Sequence, residues 1–155
     1  MFHDLVVFVL FLPICIQGAP SSWAKEESDA LLKWKASLLN QNNPLLASWH
    51  LEPPATNDSN SSHLPNRISS PCIHLYGISC INASINRLNL SNSNIDGTLN
   101  VFPFSSLPNL EYLDLSVNHL SGNIPSEIGY YNPSKLMYLD LGTNHLEGYV
   151  PSSLI

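Results

Sequence analysis

A sixteen-residue phrase occurs twice in the chain, 26 positions apart. It runs from Leu110 to Pro125 as LEYLDLSVNHLSGNIP and from Leu136 to Pro151 as LMYLDLGTNHLEGYVP, with 10 identical positions. A weaker copy, INRLNLSNSNIDGTLN, occupies positions 85–100, another 25 positions upstream. One such unit cannot bury its apolar face alone, so a repeat of this period indicates a solenoid of stacked units.

Each copy carries the pattern of one short strand. In the second copy, Leu110, Leu113 and Leu115 follow an L-x-x-L-x-L rhythm. This rhythm predicts a strand around Tyr112–Ser116 with Leu113 and Leu115 turned inward, each contributing roughly 1.5–3 kcal/mol when buried. Stacked copies therefore predict a parallel sheet with one strand per repeat.

The segment after each strand predicts a turn and a return to the core. Asn118 and Asn144 fall where the chain leaves the strand, and the first copy has Ser93 there. An amide side chain at this point can bond to backbone groups of its own turn and of the next repeat. Glycines permit a tight bend, and apolar residues two positions later are expected to point to the core: Gly97, Gly122 and Gly148, followed by Leu99, Ile124 and Val150.

The N-terminus carries a targeting signal. Leu5–Ile16 is an apolar run of 12 residues, too short to span a bilayer but suited to the hydrophobic region of a signal peptide. We expect cleavage after Ala24, with Gly18 as a competing site and an uncleaved anchor as the alternative. The mature chain is then predicted to be secreted or at the extracellular face of the plasma membrane, with no membrane segment after cleavage.

The cysteines and glycosylation motifs agree with export. Cys15 lies in the leader, which leaves Cys72 and Cys80 as a pair that an oxidising compartment would join. The bond would close a nine-residue loop and contribute about 2.5 kcal/mol. The alternative is a metal site that adds His74, although only three ligands are local. Four Asn-x-Ser sequons are candidate glycan acceptors: Asn57, Asn60, Asn82 and Asn89.

A helical segment precedes the repeats. Glu26–Leu39 has acidic residues first and lysines later, and its apolar residues share one face: Leu31, Trp34 and Leu38. A short turn is expected over Pro44–Trp49, and the polar stretch 52–70 reads as a loop. Because the first repeat has no predecessor, the helix and the cysteine loop are expected to cover it, with Trp34 and Trp49 packed inside. An aromatic ligand pocket is the alternative interpretation of these tryptophans.

The sequence therefore predicts an α/β solenoid with an N-terminal helical cap and about three repeats that form a short curved parallel sheet. The predicted segments are a signal peptide at 1–24, the cap with its disulfide loop at 25–84, and repeats at 85–109, 110–135 and 136–155, the last incomplete.

Outward strand positions form the candidate ligand surface. Alternation stacks Arg87 on two tyrosines and Asn89 on two aspartates. Two carboxylates on adjacent strands, about 5 Å apart, repel by about 1 kcal/mol in water and would attract an Arg or Lys of a peptide. The alternative is that Y-L-D-L is a common and soluble sequence at these repeat positions and has no role in ligand binding. The predicted ligand-binding residues are Arg87, Asn89, Tyr112, Asp114, Ser116, Tyr138 and Asp140.

Other chemistry finds little support in the sequence. The net charge is -6 and the 6 Lys and Arg are scattered, which argues against nucleic acid as a partner. His119 and His145 stack one repeat apart but lack a third ligand for a metal. Asp114 and Asp140 are placed on a flat sheet, unlike the carboxylates of a glycosidase cleft. With no nucleophile, zinc or phosphate-loop motif present, we expect no enzyme activity, no cofactor and no metal site.

The pattern L-x-x-L-x-L-x-x-N-x-L-x-G-x-I-P resembles the plant-type leucine-rich repeat. Residues 25–80, with DALLKWKASL, LASW and PCIHLYGISC, resemble the N-terminal cap of plant leucine-rich-repeat receptor-like kinases. The resemblance implies a signal peptide, a repeat ectodomain that binds peptides, steroids or co-receptors, one transmembrane helix and a cytoplasmic Ser/Thr kinase.

Three departures from that family bear on function. Leu75 and Tyr76 stand where the cysteine loop commonly has Trp, and IGYYNPSKL is about two residues longer than usual, which predicts a bulge on the convex side. The sequence reaches Ile155 part-way through the third repeat, so we expect a truncated receptor product. The predicted function is a binding ectodomain for a secreted peptide or a co-receptor ectodomain. The alternatives are a free secreted inhibitor of microbial wall-degrading enzymes, a receptor decoy, or a non-functional gene fragment.

Overall fold

The computed structural model describes residues 21–50, 71–129 and 135–154. Residues 1–20 of the predicted signal peptide, the predicted loop 52–70 with Asn57 and Asn60, and the tip of the predicted convex bulge lie outside the described residues. Within these ranges the structure has two helices and seven strands, in chain order α1 Ser21–Ser37, α2 Pro71–His74, β1 Ile78–Ile81, β2 Ser84–Asn89, β3 Asp96–Thr98, β4 Tyr112–Asp114, β5 His119–Asn123, β6 Tyr138–Asp140 and β7 His145–Glu147. Short 3-10 helices occupy Pro44–Leu46, Phe104–Ser106, Ser126–Gly129 and Ser152–Leu154.

The first sheet has the order β1-β2-β4-β6 and contains the predicted strand of each repeat. The last three strands are parallel and in the predicted register, with Leu88 beside Leu113 and Leu113 beside Leu139. Leu113 and Leu115 are fully buried. The repeat pattern therefore predicted both the pairing and the inward face correctly.

A second sheet has the order β3-β5-β7, and its strands pair in parallel. The sequence did not predict this sheet. Its strands are three to five residues long and lie after the asparagine position of each repeat, where the sequence predicts a turn. Gly97 lies in β3 with φ +154°, and its position leaves no room for a side chain. A Cβ there would lie 2.9 Å from Leu38 Cδ2, so glycine lets the cap approach the first repeat closely.

The core confirms the cap face predicted for α1. Leu31, Trp34 and Leu38 are buried, and Trp49 joins them from the segment after the 3-10 turn. The Trp34 indole donates to the carbonyl of Thr98, 3.1 Å away, and its ring packs edge-on against a phenylalanine of the first repeat. Both tryptophans are therefore packing residues, as predicted, and do not line an open pocket.

The cap closes one end of each sheet with a backbone element. Antiparallel β1 pairs with β2 and covers the first edge of the first sheet. The Leu39 amide donates to the Asp96 carbonyl at the first edge of the second sheet. The Cys72–Cys80 disulfide confirms the predicted pairing, with 5.4 Å between the Cα atoms, and it excludes the alternative metal site at these thiols. Covering edges in this way prevents unintended strand pairing.

Helix α1 differs from its predicted bounds. It begins at Ser21, before Glu26, and ends at Ser37, before Leu39, so no acidic residue lies in its first turn. Ala24 is buried within it, and the Ser28 hydroxyl donates to the Ala24 carbonyl. Once a helical turn exists, each added residue gains a hydrogen bond at little further cost, which favours extension upstream.

Asn118 and Asn144, which we call the asparagine ladder, bond to the preceding repeat, whereas the sequence predicted bonds to the next one. The predicted direction is therefore wrong. Asn118 donates to its own turn and to the carbonyl of Leu90, and its Oδ1 accepts from the amides of Ser93 and Ile95. Leu90, Ser93 and Ile95 all belong to the preceding repeat. The first repeat has Ser93 at the amide position, and Asn43 of the cap donates to the Ser93 carbonyl at 2.7 Å.

The third repeat is less covered than the first two. Leu139, Leu141 and Leu146 are only partly buried, although they pack against the core. The prediction that Val150 points into the core is wrong, since 58% of its surface is exposed. Its equivalents Leu99 and Ile124 do pack inward, because a following repeat lies over each of them.

Candidate functional site: the outer face of the first sheet

Two parallel rows of side chains cross the outer face of the first sheet. The strand register places Arg87, Tyr112 and Tyr138 side by side, and we call these the aromatic row. The neighbouring carboxylate row consists of Asn89, Asp114 and Asp140. The structure therefore brings together the predicted residues of both rows.

The aromatic row is a continuous stack. The Tyr112 and Tyr138 rings are parallel, with an interplanar angle of 3° and centroids 4.2 Å apart. The Arg87 guanidinium carbon lies 3.6 Å from the Tyr112 ring centroid, in cation–π geometry. No described residue forms an ion pair or hydrogen bond with this guanidinium. Tyr138 is 42% exposed, so the stack presents an ordered aromatic surface to solvent.

The carboxylate row ends each strand with a local turn. Asp114 Oδ1 accepts from the Ser116 amide at 3.0 Å and from the Ser116 hydroxyl at 2.7 Å. Asn89 accepts in the same way from Ser91, and Asp140 accepts from the Gly142 amide. Side chains that bond two residues ahead favour such turns. One oxygen of each residue in the row thus has a structural role.

Asp114 is less available than predicted. Only 7% of its surface is exposed, and its second oxygen lies 3.3 Å from the Tyr112 hydroxyl. It faces outward as alternation requires, but the flanking stack and its own turn cover it. Asp140 is covered less because it lies on β6, beside which the structure describes no further strand. Among the carboxylates, Asp140 is therefore the one open to a partner.

Tyr138 has a raised pKa. Desolvation by its neighbours is the largest cause, and the adjacent Tyr112 hydroxyl and the Asp140 and Asp114 carboxylates raise it further. The hydroxyl therefore stays protonated and remains a hydrogen-bond donor at neutral and moderately alkaline pH.

Comparison with known proteins identifies the repeat. A sequence profile described as Leucine Rich Repeat matches residues 109–131, which include β4 and β5. The chain is a leucine-rich-repeat protein. A probable leucine-rich repeat receptor-like protein kinase of Arabidopsis thaliana is 44% identical to it over 124 residues. The match covers 79% of this chain and 10% of the kinase, so the chain spans about a tenth of that relative's length.

Solved structures agree with this leucine-rich-repeat assignment. The BIR2 ectodomain of Arabidopsis thaliana has 30% sequence identity and a TM-score of 0.63, and the match covers 83% of this chain and 60% of that one. A chain of the BIR3–SERK2 complex, also from Arabidopsis thaliana, has 34% identity and a TM-score of 0.59, with 81% and 60% covered. The solenoid fold and the resemblance to plant receptor-like kinase ectodomains are thereby confirmed.

Two further features of the leucine-rich repeats bear on chemistry. The exposed His119 and His145 rings are stacked 5.9 Å apart, and no group of three or more potential ligands within the described ranges could hold a metal ion. In the same parts of the chain, no helix has the length and apolar character needed to cross a membrane.

The two described sequons occupy different surroundings. Asn82 is exposed at the tip of the β1–β2 hairpin, whereas Asn89 belongs to the carboxylate row and its Oδ1 is bonded to Ser91. A glycan on Asn89 would cover part of the candidate site. Glycosylation of either residue stays a prediction.

A buried glutamate was missed by the sequence analysis. Glu27 is 1% exposed, and its carboxylate accepts from the Ser84 hydroxyl at 2.5 Å and the Ile85 amide at 2.9 Å. Asn109 donates to the Ser84 hydroxyl and accepts from Lys135, which links the cap to the first two repeats. Burial raises the pKa of Glu27, and the two hydrogen bonds partly oppose that rise.

Proposed function

We propose that this chain is a protein-binding module of a plant receptor-like kinase ectodomain, acting at the cell surface. Its ligand is a secreted peptide or the ectodomain of a co-receptor, bound on the outer face of the first sheet. Kinase activity belongs to parts of the relatives other than the tenth that this chain matches.

The aromatic row carries this proposal. Tyr112 and Tyr138 form a rigid, parallel stack on an open sheet face, and Tyr138 is substantially exposed. Tyrosine supplies a large contact area at a low cost in conformational entropy, and it is enriched at protein interfaces. A stack that is already ordered loses little further entropy when a partner binds.

The comparison with solved ectodomains supports a polypeptide as the partner. One similar chain comes from a crystal structure of BIR3 in complex with SERK2. We extend this kind of association to the present chain, with the outer face of the first sheet as the contact surface and the plant cell exterior as the location.

The test uses the full chain, expressed through a secretory pathway and immobilised on a biosensor. Two probes are applied, namely the SERK2 ectodomain and a displayed library of random octapeptides. At least one probe should bind the unaltered chain. A Tyr112→Ala, Tyr138→Ala double variant should bind it at least about tenfold more weakly, since truncating aromatic anchors removes a large share of interface energy.

Tyr149→Ala provides the matched control. Tyr149 is 96% exposed, follows the second sheet, and lies outside both rows of the candidate site. The control should bind like the unaltered chain. Binding that the double variant retains in full, or no binding to either probe, contradicts the proposed function.

A further inference from the structure

The candidate site has opposite charges at its two ends. Arg87 is the cation of the aromatic row and lies on β2, next to the cap. Asp140, the accessible carboxylate, lies on β6 at the far side of the sheet. The two stacked tyrosine rings separate them. A segment that crosses the strands would meet a cation, an aromatic surface and a carboxylate, in that order.

Arg87 is poised to bind an anion. Its position over the Tyr112 ring fixes the plane of the guanidinium, and its N–H groups bond to no described residue. A guanidinium presents five donors in a rigid fork that matches a carboxylate bidentately. Stacking on one face leaves the edge of the fork available, so a partner's carboxylate can pair with it without displacing the ring.

Asp140 is poised to bind a cation. Its Oδ1 accepts from the Gly142 amide at 2.8 Å, which orients the carboxylate, and its Oδ2 lies 3.4 Å from the Tyr138 hydroxyl. No Lys or Arg of the described residues forms an ion pair with it. A carboxylate oxygen accepts more than one hydrogen bond, so Oδ2 can also receive an ammonium or guanidinium group.

The spacing of these groups limits the ligand. Two strand spacings of about 4.8 Å and an offset of two residues of about 3.3 Å place the two Cα atoms about 12 Å apart. Arg87 is level with Tyr138, and Asp140 is two residues further along β6. An extended peptide covers that distance in about three to four residues.

We propose that the candidate site selects an extended polypeptide segment that carries an acidic and a basic side chain about three to four residues apart. The acidic side chain pairs with Arg87 and the basic one with Asp140, while the intervening residues lie against Tyr112 and Tyr138. This inference rests on the proposed function, and it adds the partner's charge pattern and its single direction across the strands.

The experiment repeats the octapeptide selection on the unaltered chain and on four single variants. Arg87→Gln and Asp140→Asn each remove one charge from the site, and Asp140→Asn keeps the oxygen that accepts from Gly142. Lys33→Gln and Glu147→Gln remove one exposed charge each from helix α1 and the second sheet. We expect selected peptides to share the acidic–basic spacing. Either site variant should weaken their binding about tenfold or more, and neither control should.

A charge exchange tests the direction. The double variant Arg87→Glu, Asp140→Lys should select peptides with the acidic and basic residues in reversed order. Selected peptides that need Tyr112 and Tyr138 but lack the charge pair overturn this inference and leave the proposed function standing. Peptides that bind independently of both tyrosines overturn both. A selection that yields no peptide overturns the inference, and it overturns the proposed function as well if the SERK2 ectodomain also fails to bind. An unchanged residue order after the exchange also overturns the inference.

Discussion

Asn118 holds two repeats together through a single amide group. It makes three donor and two acceptor hydrogen bonds with backbone atoms, and it is 5% exposed. We expect Asn118→Ala to lower the free energy of unfolding by about 3 kcal/mol, since buried backbone groups lose their partners. Urea denaturation measures this. The exposed Asn100 is the control, and equal losses for Asn100→Ala and Asn118→Ala would contradict the ladder's structural role.

Glu27, which lies between the cap and the first repeat, makes the free energy of unfolding depend on pH. Its pKa in the folded chain lies above the ordinary value of 4.5, mainly because of burial. The folded state therefore holds this proton more tightly than the unfolded state, a contribution to stability that is present below pH 4.5 and is lost as pH rises through the folded pKa. The ammonium group of Lys135 is connected to this carboxylate through three successive hydrogen bonds, by way of Asn109 and Ser84.

We expect Glu27→Gln to remove this dependence. The free energy of unfolding of the unaltered chain, minus that of the variant, should fall as pH rises above about 4.5 and then level off. Denaturation at a series of pH values measures the difference. A flat difference, or one that grows with pH, would show that burial does not control this carboxyl group.

The burial of Glu27 could have been predicted from its position. Glu27 lies four residues before Leu31, and Leu31, Trp34 and Leu38 follow at helical spacing on the same buried face. An acidic residue near a helix start usually interacts with the helix dipole in solvent, and that interpretation was preferred. The backbone amide that the carboxylate accepts from is contributed by β2, 58 positions away, and no local pattern predicts it.

At the scale of elements, two glycines allow the cost of a steric clash to be distinguished from the cost of an unfavourable backbone conformation. Gly97 and Gly122 occupy the same position of the sequence repeat, in β3 and β5, and both have positive φ, although the strand register pairs Gly97 with Leu120. A Cβ on Gly97 would lie 2.9 Å from Leu38 Cδ2 and 3.3 Å from Leu38 Cα, whereas on Gly122 the nearest atom would be 3.8 Å away.

We expect Gly97→Ala to cost more stability than Gly122→Ala. The Gly122 change should cost about 1 kcal/mol for conformation alone, and the Gly97 change about 2–3 kcal/mol because cap and repeat must also separate. Denaturant midpoints of the two variants provide the comparison. Equal midpoints would indicate that the cap can shift without loss.

The strand register was predictable and the second sheet was not. Leucine spacing decides which side chains of β2, β4 and β6 face the core, because a slip by one residue would expose them all. The strands β3, β5 and β7 instead lie where the sequence predicts turns, and they pair across repeats about 25 residues apart, which no local pattern predicts. The hairpin strand β1 depends likewise on the disulfide and on Trp49, whose indole donates to the carbonyl of Tyr76.

Contacts between strands also limited how much of the candidate site could be predicted from the sequence. Alternation predicted which side chains face outward, including Tyr112, Tyr138 and Asp140. It did not predict that Asp114 would be buried beneath its neighbours or that Arg87 would stack on Tyr112. Those features depend on side-chain rotamers and on contacts between strands.

At the scale of the whole molecule, the disulfide ties the cap hairpin together. Reduction of Cys72–Cys80 should lower the free energy of unfolding by about 2.5 kcal/mol and the melting temperature by about 5–10 °C. Thermal melting of the chain with and without reductant measures the shift. A Cys72→Ser, Cys80→Ser variant should melt at the lower temperature and be insensitive to reductant. Equal melting of oxidised and reduced protein would show that packing alone secures the cap.

The backward direction of the asparagine ladder has a consequence for synthesis. Asn118 closes a turn that contains Ser93, and Asn144 donates to the carbonyl of Leu115 and accepts from the amide of Leu120, so each amide completes a unit made about 25 residues earlier. On the ribosome, a newly emerged repeat keeps its turn open to water until the following repeat emerges. The turn of the first repeat follows the same order but also receives a hydrogen bond from Asn43 of the cap, which is synthesised before it. We therefore expect each repeat to complete its turn only after the following repeat has been synthesised.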